Sequence, residues 1–419
     1  MPVRFFLFLC GASCVAAQNT LLSLDDAIRI AWASDPAVAA LSLTPELARA
    51  REEQAGIRPN PELEFRGSTP LKSDSEWAVG LGLNQRLPRR ERIEQARAFA
   101  RLGGETAALH LGEQRRRVAG EVRRLYYEAA IQQTRRDIAR RTIDVQAQFR
   151  ATLERRRASG EIATTEIDWL AVETARAEQA LAFADAEFAA TMQRLRSRLR
   201  LATDAPLAIN ADLDSIIARP IPGEPASLDI ARPTLALAAH HVRQTEAALA
   251  LARAETRGNW TVGAGLDFER RSNDFDRRLE NEPRVSVSAS VPWPRGAANR
   301  GDIREKQAAL RIAEAELAAL RNELSAEVSA AAATARTLQP VLIAHRASLA
   351  PGAAIPETLR AAYERGEVTT LQLAQARQQR FVLETDFLNA AARCVAALAE
   401  AETAAGVVPA PTVTSALHP

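Results

Sequence analysis

The sequence predicts a mainly α fold with a transmembrane β portion, duplicated within one chain. Three observations carry that prediction. Residues 18–203 and 228–406 present one series of elements twice, on either side of a linker at 204–227 that holds Pro206, Pro220, Pro222 and Pro225. Each copy contains a pair of short strands with alternating side chains. Each copy also contains helical sequence far longer than a compact globular domain uses.

The bulk properties narrow the partners before any element is placed. With 419 residues, 47% of them hydrophobic and 25% charged, the chain has ample material for a core and no signature of disorder. Its 54 basic and 52 acidic residues leave a net charge of +2, too little to neutralise a run of phosphates, so nucleic acid is not an expected partner. Residues 1–17 show one cation, an apolar run too short to span as a helix, then small residues, and read as a cleaved signal peptide. Lipidation of Cys14 is the alternative processing route. Cleavage after Ala17 leaves Cys394 as the sole cysteine, so no internal disulfide is expected. No later run of 18 apolar residues predicts a transmembrane helix.

In chain order, Leu24, Asp25, Asp26 and Ala27 open the first helix and the pair Asp35 and Pro36 interrupts it. Leu228, Asp229, Ile230 and Ala231, with Arg232 and Pro233, repeat the pattern in the second copy. Strands follow at about 60–71 and 77–87, where Leu63, Phe65, Val79, Leu81 and Leu83 alternate with polar or small residues. The second pair falls at about 259–270 and 283–292, with Val262, Ala264, Leu266 and Phe268 on one face and Gly263, Gly265, Asp267 and Glu269 on the other. These runs are roughly 9–11 residues long, the length at which a tilted strand crosses a bilayer. Trp77, Trp260 and Trp293 mark strand ends, where an aromatic girdle sits. Strand patterning alone fits a soluble hairpin with one wet face equally well.

The helices separate those two readings. No proline occurs between Arg89 and Ala205, and a helix over 89–158 would be about 100 Å long at 1.5 Å per residue. Apolar residues recur every seven positions: Leu111, Val118 and Leu125; Ile303, Leu310, Leu317, Leu324 and Ala331; Phe381, Leu388 and Val395. That period is the seam of left-handed supercoiled helices. If the strands enter a membrane, four cannot close alone, because each unpaired backbone group in hydrocarbon costs several kcal/mol. Several copies must therefore pool strands into one barrel, and helices continuing from such a ring enclose a conduit.

With these elements in place, the sequence resembles the TolC-like outer-membrane efflux proteins over essentially all of the mature chain. The resemblance rests on the opening at Leu24 to Pro36, on the run Ile57, Arg58, Pro59, Asn60, Pro61 leading to the first strand, and on the return Val291, Pro292, Trp293, Pro294, Arg295, Gly296. Its most specific part is a pair of turns: Arg157, Ala158, Ser159, Gly160 with Glu166 and Asp168 downstream, and Tyr363, Glu364, Arg365, Gly366 with Gln372 downstream. The resemblance implies a homotrimer whose 12-stranded β-barrel continues into a periplasmic α-helical barrel. It implies that the two glycine turns are the tips where an adaptor (membrane fusion) protein docks and where the closed state is held. It also implies a latch in which Tyr363 pairs with Glu166. Gln372 and Gln375 stand where some members carry acidic residues, so a strong anionic ring is not expected. Each of these residues also has a plainer role: Gly160 and Gly366 end helices, Glu166 and Asp168 suit a helix start, and Tyr363 packs.

The same resemblance implies the outer membrane as location, outer-membrane lipid as surroundings, and an inner-membrane pump of the RND type as energy source. Within the family the pattern leans toward the heavy-metal efflux, CzcC/CusC-like branch. The alternatives are a soluble periplasmic coiled-coil interaction protein and the duct of a type I protein secretion system. No G-x-S-x-G, H-E-x-x-H or phosphate-cradling glycine loop is present, so neither enzymatic activity nor a cofactor is expected. The five histidines, at 110, 240, 241, 345 and 418, lack ligand spacing, and no metal site is expected.

Overall fold

The computed structural model describes residues 21–69, 76–222, 232–272, 279–292, 299–352 and 355–407. The signal peptide expected at 1–17, the second-copy opening at 228–231 and Trp293 lie outside the described residues, as does all but Val407 of the flexible C-terminal tail that the sequence predicts at 407–419. In chain order the elements are β1 (Leu21–Leu22), α1 (Leu24–Ser34), α2 (Pro36–Ser42), α3 (Thr44–Ala55), β2 (Glu62–Ser68), β3 (Trp77–Leu87), α4 (Arg90–Ala158), α5 (Thr164–Arg198), β4 (Ala208–Ile209), α6 (Leu213–Ile217), α7 (Pro233–Glu255), β5 (Trp260–Ser272), β6 (Leu279–Ser290), α8 (Arg300–Gly352), α9 (Ile355–Glu364) and α10 (Thr370–Ala404). They group into two units, one of Ala37–Gln114 and Asp229–Ser325, the other of Met1–Pro36, Arg115–Leu228 and Ala326–Pro419.

The first unit holds a four-stranded antiparallel sheet in the order β2-β3-β5-β6. Register places Phe65 opposite Leu81, Leu81 opposite Leu266, and Leu266 opposite Val285, so the apolar residues of all four strands share one face. Strand β2 starts at Glu62, two residues later than 60, because Pro59 and Pro61 have no N–H to donate to a ladder. Strand β6 starts at Leu279, four residues before 283. Pro283 does not stop it because β6 is an edge strand with a proline-tolerant side. Helices α4 and α7 of this unit are tied by Arg92 Nε to Glu255 Oε1 at 3.1 Å. Deeper between them, buried His240 lies 2.9 Å from Glu105 Oε2 and 3.1 Å from Thr106 Oγ1.

The second unit is helical apart from the parallel pair β1 and β4. Seam residues Val118, Leu125, Leu388 and Val395 are buried in it, as is the lone Cys394, whose thiol burial pushes up. A buried ionic knot anchors the end of α10. Glu402 forms an ion pair with Arg123, whose Nε lies 2.9 Å away, and accepts hydrogen bonds from Arg219 Nε at 2.8 Å and the Tyr127 hydroxyl at 3.0 Å. Gly120, inside α4, leaves room for this packing: a Cβ there would stand 2.4 Å from Thr403 Cγ2. Of the linker expected at 204–227, the described residues 204–222 are more ordered than their prolines suggest. It contains β4 and α6, Leu213, Ile216 and Ile217 are buried, and Gln339 Nε2 donates to the carbonyls of Ile217 and Arg219.

Candidate functional site at the paired helical turns

Helices α4 and α9 end in the same way. Gly160 and Gly366 adopt φ of +77° and +79°, the left-handed region open to glycine. After each, the following N–H bonds back to the carbonyl five residues earlier, Glu161 to Arg156 and Glu367 to Ala362, both at 2.9 Å. With Gly160 bonding Arg157 and Gly366 bonding Tyr363, each turn closes a Schellman motif. The duplicated sequence therefore folds into a duplicated turn.

The helix starts that follow are not alike, and the difference creates the site. At α10, Thr369 caps the helix and Gln372 completes a capping box, its Oε1 accepting from the Thr369 N–H at 2.9 Å. At α5 the cap position is Ala163, which has no side chain to offer, so Glu166 at the matching place is not held in a box. Its carboxylate reaches instead to the hydroxyl of Thr370 on α10. Thr370 Oγ1 also lies 3.3 Å from the phenolic oxygen of Tyr363. The Thr370 hydroxyl has one proton, and a carboxylate can only accept, so the phenol supplies the proton of the second bond. The sequence-based pair is thus a three-member chain, Tyr363 to Thr370 to Glu166. Thr370 escaped sequence reasoning, although its repeat mate Thr164 and the shared Thr-Thr step at each helix start were in view.

Around this chain Tyr363 is buried, with Phe149, Leu153, Ile167, Leu170 and Leu373 as its core. The Phe149 ring meets it edge-on at 5.5 Å, and the Arg156 guanidinium sits 4.6 Å from its centroid while donating to the Tyr363 carbonyl. Arg156 also donates to Glu161 at 2.9 Å. Hydrogen bonds from Ser159, then from Arg156, hold the Glu161 carboxyl below the usual range. Asp168 and Gln375 are exposed, and neither side chain has a hydrogen bond or ion pair among the described residues.

The sheet supplies a second candidate surface. Its apolar face is uncovered: Val287 is 84% exposed, Phe65 77% and Leu81 45%. Its polar face is knitted by Arg284 to Glu269 at 3.0 Å, Asn84 to Glu64 at 2.9 Å and Ser286 to Asp267 at 3.1 Å. Trp77 pairs with Arg270 and Trp260 with Leu87, so the two indoles stand at opposite ends of the β3 and β5 ladder. Ten steps at about 3.4 Å separate them, roughly 26 Å along a barrel axis for strands tilted about 40°, close to the apolar height of a barrel wall.

Long paired helices with duplicated tips and a four-stranded sheet bare on its apolar face define the TolC-like channel fold. Among solved structures the chain is similar to CusC, a structure concerned with folding and transmembrane channel formation, with a TM-score of 0.70, 18% identity and 91% of each chain covered. It is equally similar to the outer-membrane channel OprN, with a TM-score of 0.70, 17% identity and coverage of 91% of this chain and 89% of that one. The open state of the Neisseria gonorrhoeae MtrE outer membrane channel gives 0.70, 16%, 91% and 88%. No family model matches the sequence, and no curated protein does.

Proposed function

We propose that the chain is the outer-membrane channel of a tripartite efflux system, a passive exit duct for metal ions or small toxic compounds. A periplasmic adaptor and an inner-membrane pump of the RND type deliver the cargo and supply the energy. The observation that carries this reading is the uncovered apolar face of the sheet between Trp77 and Trp260. A soluble hairpin turns such a face inward, whereas a barrel wall turns it to lipid. The open backbone edges of β2 and β6 then call for strands from further copies, and a homotrimer closes the ring. The likeness to channels such as MtrE and OprN supports the same reading.

In this reading the turns at Gly160 and Gly366 are the tips that meet the adaptor, and Tyr363, Thr370 and Glu166 latch the closed state. Hydrogen bonds to a carboxylate are stronger than neutral ones, yet exchange readily once water reaches them, which suits a gate. The test is fractionation of cells expressing the full chain, followed by mass determination in mild detergent. A heat-modifiable trimer in the outer membrane is expected. A soluble periplasmic monomer or dimer overturns the duct and leaves a coiled-coil interaction protein.

A further inference from the structure

The register of the sheet sorts its polar face into levels. Glu62, Asn84, Gly263 and Ser288 stand opposite one another at one level, Glu64, Gly82, Gly265 and Ser286 at the next, and Arg66, Gly80, Asp267 and Arg284 at a third. Other carboxylates near these levels have a cation: Arg86 lies 3.7 Å from Glu62, Arg284 3.0 Å from Glu269 and Arg66 4.0 Å from Asp267. The last pair joins strands that are not neighbours. It crosses β3 because Gly80 and Gly82 put no side chain in the way: a Cβ on Gly80 would collide with Asp267 Oδ1, and one on Gly82 would stand 3.0 Å from Arg66 Nη2. Glu64 is left without a cation. It is exposed, it is the one charged residue of its level, and its Oε2 accepts from the neutral amide of Asn84 at 2.9 Å. No ion pair to Glu64 exists among the described residues. Toward the Ser68 and Ser272 ends, Glu280 and Glu282 share the face with Arg271, also without an ion pair among the described residues, so the surplus charge keeps one sign along the described face.

We infer that Glu64 is a specificity-determining residue of the duct, giving the barrel lumen a preference for small cations over anions. The inference rests on the reading of the sheet as a barrel wall, which turns this polar face to the lumen. Each copy in the ring then repeats Glu64 at the same height, and rings of carboxylates select cations by their field. The low-dielectric wall behind them concentrates that field in the water of the lumen. The placement is particular to this chain. At the helical tips Gln372 and Gln375 are neutral, and the amide of Gln372 is used to cap α10, so the uncompensated carboxylate lies on the sheet instead. Asp267 has a part in this as a positioning residue: by pairing with Arg66 over the glycines of β3, it occupies the guanidinium nearest in sequence to Glu64.

The experiment is the reversal potential of the full chain in planar bilayers under a KCl gradient. Salt is kept near about 0.01 M, where the Debye length of about 30 Å lets a wall charge act well into the lumen. The wild type should pass K⁺ in preference to Cl⁻. Glu64→Gln should lower the K⁺ to Cl⁻ permeability ratio severalfold, Glu64→Lys should invert the preference, and Glu64→Asp, which keeps the charge, should retain it. Arg66→Gln should move the ratio the other way, because it removes the guanidinium and leaves both carboxylates. A wild type without cation preference, or a ratio that Glu64→Gln and Glu64→Lys leave unchanged, overturns the inference while the duct stands. Should the Glu64 variants form no channels, Arg66→Gln decides it: a raised ratio supports the inference, and an unchanged or lowered one overturns it. A wild-type chain that forms no channel at all overturns the duct and this inference with it.

Discussion

The latch we propose rests on single residues, and its chemistry is legible in part. Tyr363 and Glu166 stand out from the duplicated turns, but their connection through Thr370 does not, because a hydroxyl that relays between two partners carries no spacing of its own. Gln372 shows the converse. At the level of sequence it is a substituted acidic position, whereas in the fold its amide closes the α10 capping box. Tyr363→Phe, Thr370→Val and Glu166→Ala each break the chain of hydroxyls while leaving the Phe149 packing in place. Each should raise single-channel conductance in planar bilayers, and unchanged conductance in all three disposes of the latch. Alkaline pH tests a different pair. Burial pushes the Tyr126 hydroxyl from 10 up to about 12, and burial, then the nearby Glu402 carboxylate, raises that of Tyr127 as well. The unfolded chain ionises both near pH 10 and the folded chain does not, so the stability they contribute is whole below pH 10 and falls as pH climbs through 12. The urea midpoint should drop across that window. Tyr126→Phe should flatten the drop while costing stability at pH 8, since its hydroxyl contacts the Leu22 and Asn210 carbonyls.

Among the elements, the helices and central strands were legible and the small connections were not. The proline-free run beyond Arg89 becomes α4 from Arg90 to Ala158, and the alternation of Trp77 to Leu87 becomes β3 without a residue's difference, since each pattern is long enough to outweigh local noise. Strands β1 and β4 are two residues each, and their pairing depends on contacts distant in sequence, so no local pattern marks them. The four prolines of the linker likewise hide α6, which folds because Asp212 caps it and Leu213, Ile216 and Ile217 find a core. The turns offer a direct test of element termination. Gly160→Ala and Gly366→Ala meet no neighbour, so their whole cost is the left-handed backbone, about 1–2 kcal/mol each. Equilibrium unfolding should show that loss at both sites. Thr369→Ala removes a cap that α5 lacks, and should cost about 1 kcal/mol, where Ala163→Thr should stabilise instead.

At the scale of the whole molecule, the two faces of one sheet make opposite demands on their surroundings, and this is where the membrane reading is most exposed to test. The apolar face carries Leu63, Phe65, Val79, Leu81, Leu83, Leu266 and Val287 in mutual register, and none of them is covered by the chain itself. An uncovered patch of that extent is a surface for lipid or for another protein. The polar face is already satisfied by its own cross-strand pairs. Leu266 lies near the midpoint between the Trp77 and Trp260 ends, so Leu266→Arg places a charge where a bilayer is driest, at a cost of about 2–4 kcal/mol. Ser288→Arg puts the same side chain on the opposite face, toward a wet lumen, and carries no such penalty. The two variants therefore introduce the same side chain on opposite faces of the sheet, one on central β5 and one on β6, and differ in what they ask of the surroundings. Outer-membrane fractions should contain little Leu266→Arg trimer and near-normal Ser288→Arg trimer. Equal recovery of both would mean that the apolar face does not meet lipid, and the reading of this sheet as a barrel wall would fall.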